Sequence, residues 1–222
     1  MVARTPPKPT AALGHVTSGL KLVDDMMNLT KAGKGKPSQG ERAIFAASIV
    51  FIYGVWENYA EQLAIEVVST LSASIDPTKV PKDVKVQLEK RTAWELSVSP
   101  GWRQCWIDAV KKLAVGSESS ESRGINTARH GTVRNLLQMA GVPDAFNGLD
   151  GLLFPLHLSP ASHTNKEALE ALVQLRGEIV HTGKVPQTLI KAHVVNWRTY
   201  VEALTKGMDE VCQLHCEAAL KH

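Results

Sequence analysis

Residues 171–186 read ALVQLRGEIVHTGKVP, and within them Arg176 and His181 stand five positions apart, just before a glycine and a proline. Histidine is the side chain whose charge changes near neutral pH, so it can accept and return a proton within one reaction cycle. A guanidinium can hold a phosphate through two charge-assisted hydrogen bonds. The pair therefore suits acid/base chemistry on a phosphate-bearing substrate. Five residues along an α-helix are a net rotation of about 140°, so the two side chains do not stack on one face as an i, i+4 pair does. Taken alone, they are explained as well or better by a basic last turn that complements the helix dipole.

Two further clusters carry reactive side chains. Cys212, His215 and Cys216 fall at i, i+3 and i+4, share a helix face and offer the soft donors that zinc takes. A closed zinc site wants four ligands, and only the C-terminal His222 or another chain is at hand for the fourth. Cysteine is also a common small core residue, and His215 falls in an apolar seam, so these three are weak metal candidates and no metal is expected. Glu57 and Glu61 follow an apolar run, one turn apart. Glu61 is expected on the solvated face. Glu57, next to Trp56, reads as a surface carboxylate or, if half-buried, as a group that needs a cationic partner. The sequence has no P-loop, no G-x-G-x-x-G after a strand, no G-x-S-x-G, no H-E-x-x-H and no C-x-x-C, which removes the ordinary hydrolase and nucleotide-phosphate readings.

These residues need elements to hold them, and the periodicity is helical throughout. Leu13, Val16, Leu20, Val23 and Met27 put one apolar stripe on a helix of about residues 11–31. KAGKGKPSQG, residues 31–40, breaks it with glycine, proline and lysine. Phe45, Ile49, Ile52, Trp56, Tyr59, Leu63 and Val67 then share one face of a long helix whose other positions are also apolar, so it is expected to be central and buried on more than one side. A loop at 76–82 leads to shorter helices at about 83–97 and 101–115, the second with Trp102, Trp106, Val110 and Leu113 in register. Residues 115–131 read as a polar loop, 132–140 as a short helix ending at Gly141, and a Pro- and Gly-dotted segment runs to about 163.

Thr164 and Glu167 have the spacing of a capping box that opens the helix bearing Arg176 and His181. Leu169, Leu172, Leu175/Arg176 and Ile179 form its apolar face, and Gly183 with Pro186 supplies the stop. Ile190, Val194, Trp197, Val201, Leu204, Met208, Val211, His215 and Ala218 then alternate at heptad spacing along one long helix, whose seam packs on the body or on a second subunit. No segment alternates with period two. The class is all-α.

The formal charge of +3, from 25 Lys+Arg and 22 Asp+Glu, is too small to mark a protein that coats nucleic acid. Most of the positive excess falls in residues 1–40, which read as an N-terminal arm and helix with a basic linker; residues 41–222 read as the main helical body of a single domain. Three cysteines make no disulfide framework, and MVARTPPKPT lacks the apolar core of a signal peptide. The longest apolar run, Ala43 to Trp56, is 14 residues, short of the ~20 that cross a bilayer. A cytoplasmic protein with no membrane contact is expected.

QLRGEIVHTG resembles the terminal motif of HEPN domains, an all-α nucleotide-binding superfamily whose signature is Arg, four residues, then His. IVFIYGVWENYAEQLAIE is similar to the long helix, with its aromatic-Glu-x-aromatic pattern, of the RiboL-PSP-HEPN-like bacterial branch, and RNLLQMAGVPDAF fits that branch too. The likeness spans about residues 40–205 in organisation and is specific at the Arg-x4-His block and, more weakly, around Glu57. It implies a HEPN-type helical bundle acting as a homodimer with the two motifs facing across the interface. It further implies a metal-independent, cofactor-free endoribonuclease that attacks its RNA substrate through the 2′-hydroxyl, with Arg176 and His181 as the catalytic pair. Glu57, Gly177, Glu178 and Lys184 would be supporting residues. Such proteins serve as toxins or anti-phage effectors, with an antitoxin or sensor protein as a possible partner. The chain departs from the family where Asn, Asp or His usually follows the arginine: it has Gly177, with Glu178 the nearest polar residue, and its His-Gly ending is stretched to His181-Thr182-Gly183. A glycine inside a helix costs about 1 kcal/mol relative to alanine, so a close approach is expected there. That departure leaves open a non-catalytic HEPN module that binds nucleotide, RNA or protein; a helical adaptor is the third reading.

Overall fold

The computed structural model describes residues 8–31, 35–98, 101–116, 124–125, 127–149 and 164–221. Among these residues eight α-helices follow in order: α1 (Ala11–Asn28), α2 (Gln39–Ser74), α3 (Lys82–Leu88), α4 (Ala93–Ser97), α5 (Gly101–Val115), α6 (His130–Ala140), α7 (Asn165–Thr182) and α8 (Lys191–Leu220). A single 3-10 turn at Pro77–Lys79 separates α2 from α3, and there is no strand among the described residues. The all-α expectation holds.

The fold is organised around α2, a 36-residue helix. Ser38 accepts from the Glu41 amide while the Glu41 carboxylate accepts from the Ser38 amide, a capping box that satisfies two donors at the helix start. Along its length Phe45, Ile49, Ile52, Trp56, Tyr59, Leu63 and Val67 are buried, as their spacing predicts, and so are Tyr53, Ala60, Ala64 and Val68 on flanking faces. Helices α1, α5, α6, α7 and α8 all pack against it. By length and composition α2 could also cross a membrane, contrary to the expectation drawn from the 14-residue run, because apolar residues continue past Glu57 and Glu61; half of its most apolar window is buried against the other helices.

α1 belongs to the same core and is not an appendage. Ala12, Val16, Leu20, Val23 and Met27 are buried, with Leu13 only partly so. Its first turn is held by two carboxylates from other helices. Glu66 of α2 accepts from the Ala11 and Ala12 amides at 3.0 and 2.8 Å, and Asp209 of α8 accepts from the amide and hydroxyl of Thr10. The boundary read at residue 40 is therefore a connector within one core, while residues 1–7 of the expected arm lie outside the described residues.

The stretch expected as one helix over 83–97 is two, because the Thr92–Glu95 capping box starts a new helix at Ala93. In α5 the buried residues are Trp106, Val110 and Ala114; Leu113, expected in that face, is 39% exposed. α8 packs on α1 and α2 of the same chain. Its buried positions follow the expected seam from Val194 through Met208, with Ile190 at the cap exposed, and then shift by one residue, to Cys212 and Cys216, leaving Val211 and His215 half-buried and Ala218 exposed. Against a 3.6-residue helix a strict heptad repeat drifts by about 20° each repeat, and four repeats are enough to change the inward residue.

Candidate functional site

α7 begins as expected: Thr164 accepts from the Glu167 amide and Glu167 accepts from the Thr164 amide. Ala168, Leu169, Leu172 and Val173 are buried, Leu175 and Ile179 partly so, and the helix stops where Gly183 turns to φ 64°, a conformation glycine adopts without steric cost. The Gly183 amide donates to the Ile179 carbonyl at 3.0 Å. α7 runs antiparallel to α2: Arg42 near the start of α2 donates to the Val185 and Pro186 carbonyls beyond the end of α7, and Arg176 meets Tyr53 further along.

That meeting is the centre of the site. The Arg176 guanidinium lies over the Tyr53 ring, 5.2 Å from its centroid, a cation–π arrangement. Tyr53 is fixed in turn. Its hydroxyl donates to Glu57 Oε1 at 2.9 Å and accepts from the Ala128 amide at 2.8 Å, while Trp56 Nε1 donates to the Ala128 carbonyl at 2.8 Å. Ala128, at the approach to α6, is thus held by α2 through both its amide and its carbonyl. Next to it, Arg129 pairs with Glu170 of α7 at 2.6 Å, tying the two helices together.

Arg176 itself makes no hydrogen bond among the described residues, and its Nε is buried with no acceptor. A buried donor left unmet costs about 1–3 kcal/mol, so an anion arriving here would recover part of that cost. Glu57 is half-buried, and burial raises its carboxyl above the usual range, while the Tyr53 hydrogen bond and the nearby Arg176 charge pull it back down. It is therefore the half-buried carboxylate with a cationic neighbour, not the surface group. Burial also raises the Tyr53 phenol, keeping it a proton donor to Glu57 at neutral pH.

Glu61, expected on a solvated face, is half-buried instead. Its carboxyl is pushed up to about 7 by burial and then by the Glu57 charge one turn away. Glu61 is half-buried because α2 is covered by five helices, so few of its positions reach bulk water.

His181 is exposed in the last turn of α7, rotated away from Arg176 as the five-residue spacing requires. Glu178 and Lys184 are exposed as well. Their backbones complete the helix end, with the Thr182 hydroxyl donating to the Glu178 carbonyl and accepting from the Lys184 amide. Gly177 is not a point of close approach. A Cβ built there meets only His181 Cδ2, at 3.9 Å, an ordinary contact.

Next to this helix end an apolar groove of about 610 Å³ runs between α1, α2 and α7, lined by His15, Ala47, Phe51, Gly54, Val55 and Ile179 among others. Phe51 in its wall is 38% exposed.

The candidate metal cluster does not form. Cys212 and Cys216 are buried in the core, His215 is half-buried, and no group of three or more potential ligands comes together among the described residues. Burial pushes the Cys216 thiol up to about 11 and raises Cys212 further, so the thiolate that zinc requires is disfavoured. His222, the suggested fourth ligand, lies outside the described residues.

Sequence reasoning missed Tyr53 and the Ala128 peptide. Tyr53 stands one turn before Glu57, and that i, i+4 spacing of a phenol and a carboxylate was a usable signal. Ala128 leaves none, because it contributes only backbone. Comparison with family models, with curated proteins and with solved structures returned no match.

Proposed function

We propose that this chain is a metal-independent endoribonuclease of the HEPN type. The observation that carries the reading is the state of Arg176: a half-buried guanidinium, seated on Tyr53 beside Glu57 with its donors unspent, on the helix whose last turn presents a solvent-facing histidine. Such an arginine is preorganised for a phosphate, since the ring fixes its plane and little conformational freedom is lost on binding.

In the proposed reaction the RNA 2′-oxygen attacks the adjacent phosphorus. A P–O2′ bond forms, the P–O5′ bond breaks, the 2′-hydroxyl proton passes to a base and the departing 5′-oxygen takes a proton. The products are a 2′,3′-cyclic phosphate and a 5′-hydroxyl, with no water consumed and no redox change. His181 moves the proton. Arg176 orients the phosphate and stabilises the charge that grows on its oxygens. One imidazole cannot be base and acid in the same step, which is the chemical reason for two motifs facing one another in a homodimer. The groove between α1, α2 and α7, apolar and bordered by Ile179 of the motif helix, is the face we assign to the second copy. Lys184 is available to contact the RNA backbone, and Glu57 restrains Arg176. A cytoplasmic toxin or anti-phage effector, held in check by an antitoxin or sensor protein, is the setting this activity fits.

The test is to incubate the purified protein with total RNA and assay for 2′,3′-cyclic phosphate ends. Cleavage is expected to survive EDTA and to vanish in Arg176→Ala and His181→Ala variants that melt like the parent. Intact RNA with a well-folded, dimeric parent protein would sink the reading. A second reading, a non-catalytic HEPN module that binds nucleotide, RNA or protein, is favoured by Gly177, which puts no side chain against the imidazole at the position where the resembled motif carries a polar residue.

A further inference from the structure

From Asp76 to Lys112 the chain holds eight Lys or Arg and five Asp or Glu, whereas the rest of residues 41–222 holds 11 and 15. An otherwise acidic body therefore carries one basic lobe, made of α3, α4 and α5, with both short helices packed on α5. A depression of about 520 Å³ opens in this lobe, lined by Lys90, Arg91 and Lys112 together with Cys105, Asp108 and Leu113. In the same lobe the Trp94 side chain stands 75% exposed on α4.

Nothing in the fold calls for that indole to face water. α4 is fixed without it: the Thr92–Glu95 capping box sets its start, and at its end the Leu96 carbonyl lies against Gly101, where a Cβ would come within 2.5 Å of the oxygen. The backbone thus presents Trp94 outward from a held position. Two of the lobe's carboxylates are already engaged, Glu95 with the Thr92 amide and hydroxyl and Asp108 with the Gln104 amide group. The Arg91–Glu95 pair at 3.4 Å is exposed on both sides and competes weakly for the guanidinium.

Clustered cations around a concavity with a solvent-facing aromatic ring are what a single-stranded nucleic acid requires: charge for its phosphates and a flat apolar face on which an unpaired base can stack. An apolar protein partner would have to desolvate the three cations. The geometry points to the α3–α4–α5 face as a holding site for single-stranded RNA, with a base stacked on Trp94 and flanking phosphates on Lys90, Arg91 and Lys112. The choice of RNA rests on the ribonuclease reading. α5 and the Arg176-bearing α7 both pack on α2, so this face and the motif helix share one supporting helix.

The experiment uses the full chain carrying His181→Ala, to prevent cleavage, and a short fluorescein-labelled single-stranded RNA followed by anisotropy. Adding Trp94→Ala should weaken binding about tenfold, and Trp94→Phe should restore most of it. Replacing Lys90, Arg91 and Lys112 by alanine should weaken binding further and flatten its salt dependence, since roughly three fewer counterions would be released. All four side chains sit at the surface, so thermal melts of the variants should match the parent. Unchanged affinity in both sets of variants, or no RNA binding at all, overturns the assignment. Displacement of the RNA by an acidic peptide whose own binding ignores Trp94 overturns it in favour of a protein partner. Cleavage assays on the parent keep the two claims apart. Binding that depends on Trp94 without any cleavage leaves this face standing and removes the nuclease, and cleavage lost in His181→Ala with binding indifferent to Trp94 does the reverse.

Discussion

α7 ends with Arg176 and His181, and α8 ends with Cys212, His215 and Cys216; each set sits near the C-terminus of a long helix on side chains that could bind or react. On α7 the arginine turns toward α2 yet keeps its donors free, and the histidine faces solvent. On α8 both thiols are packed in the core and held protonated by burial. The difference follows the apolar stripe of each helix. On α8 it continues through Cys216, whereas on α7 the fully buried positions end at Val173, with Leu175, Arg176 and Ile179 only partly covered. Reactive spacing stays open to solvent where packing runs out, and becomes core where packing continues.

The sharpest way to break that comparison is to exchange readouts between the two helices. His181→Ala should lower RNA cleavage by about 10²–10⁴-fold, the usual worth of a general acid/base, with no change in melting temperature. Cys212→Ala with Cys216→Ala should leave cleavage intact while costing about 1–2 kcal/mol in urea unfolding, through lost packing. The opposite pattern, or cleavage abolished by a chelator, would assign the chemistry to α8.

A smaller effect is expected at the support beneath Arg176. Tyr53→Phe keeps the ring but leaves the Ala128 amide without its partner, so unfolding free energy should fall by about 1–3 kcal/mol. A neutral result in denaturant melts would mean that the hold of α2 on Ala128 is not a structural anchor.

Glu61 supplies a pH signature. Its folded carboxyl, near 7, lies above the ordinary value of 4.5, so the folded state holds the proton more tightly than the unfolded chain. Stability from this group is complete below about pH 4.5 and is lost as pH rises through about 7. Glu61→Gln should remove this decline and raise stability at pH 8 by about 1 kcal/mol, a figure already reduced because the side chain is only half-buried. Melts of the two proteins that stay parallel from pH 4 to 8 would show that Glu61 ionises normally.

The smallest effect is at Gly177. Because a Cβ there meets nothing closer than 3.9 Å, Gly177→Ala should stabilise α7 by up to about 1 kcal/mol. A destabilised variant would revive the close approach that the glycine suggested.

Much of this was legible beforehand because it is written within a turn or two of chain. The Thr164–Glu167 box, the apolar face through Leu172 and the Gly183 stop are all local, and all are found as expected. The opposite rotation of Arg176 and His181 follows from helix geometry alone. What could not be read depended on distant neighbours. Glu61 looks solvated until five helices surround α2, and Cys212 replaces Val211 in the core only after the drift along α8 has accumulated. The Thr92–Glu95 capping box that splits 83–97 is local and readable, but the apolar pattern around it is too weak to mark two helices.

The sequence by itself therefore determined the helical class, the limits of the motif helix and the two residues worth testing, because periodicity and capping act through contacts between near neighbours along the chain. Only the tertiary structure decided what surrounds them: Tyr53 beneath the guanidinium, Ala128 clamped between Tyr53 and Trp56, Glu57 half-buried, and Cys212 and Cys216 packed into the core. Those outcomes depend on desolvation, and desolvation is set by which helices pack together, a property that no local stretch of residues contains.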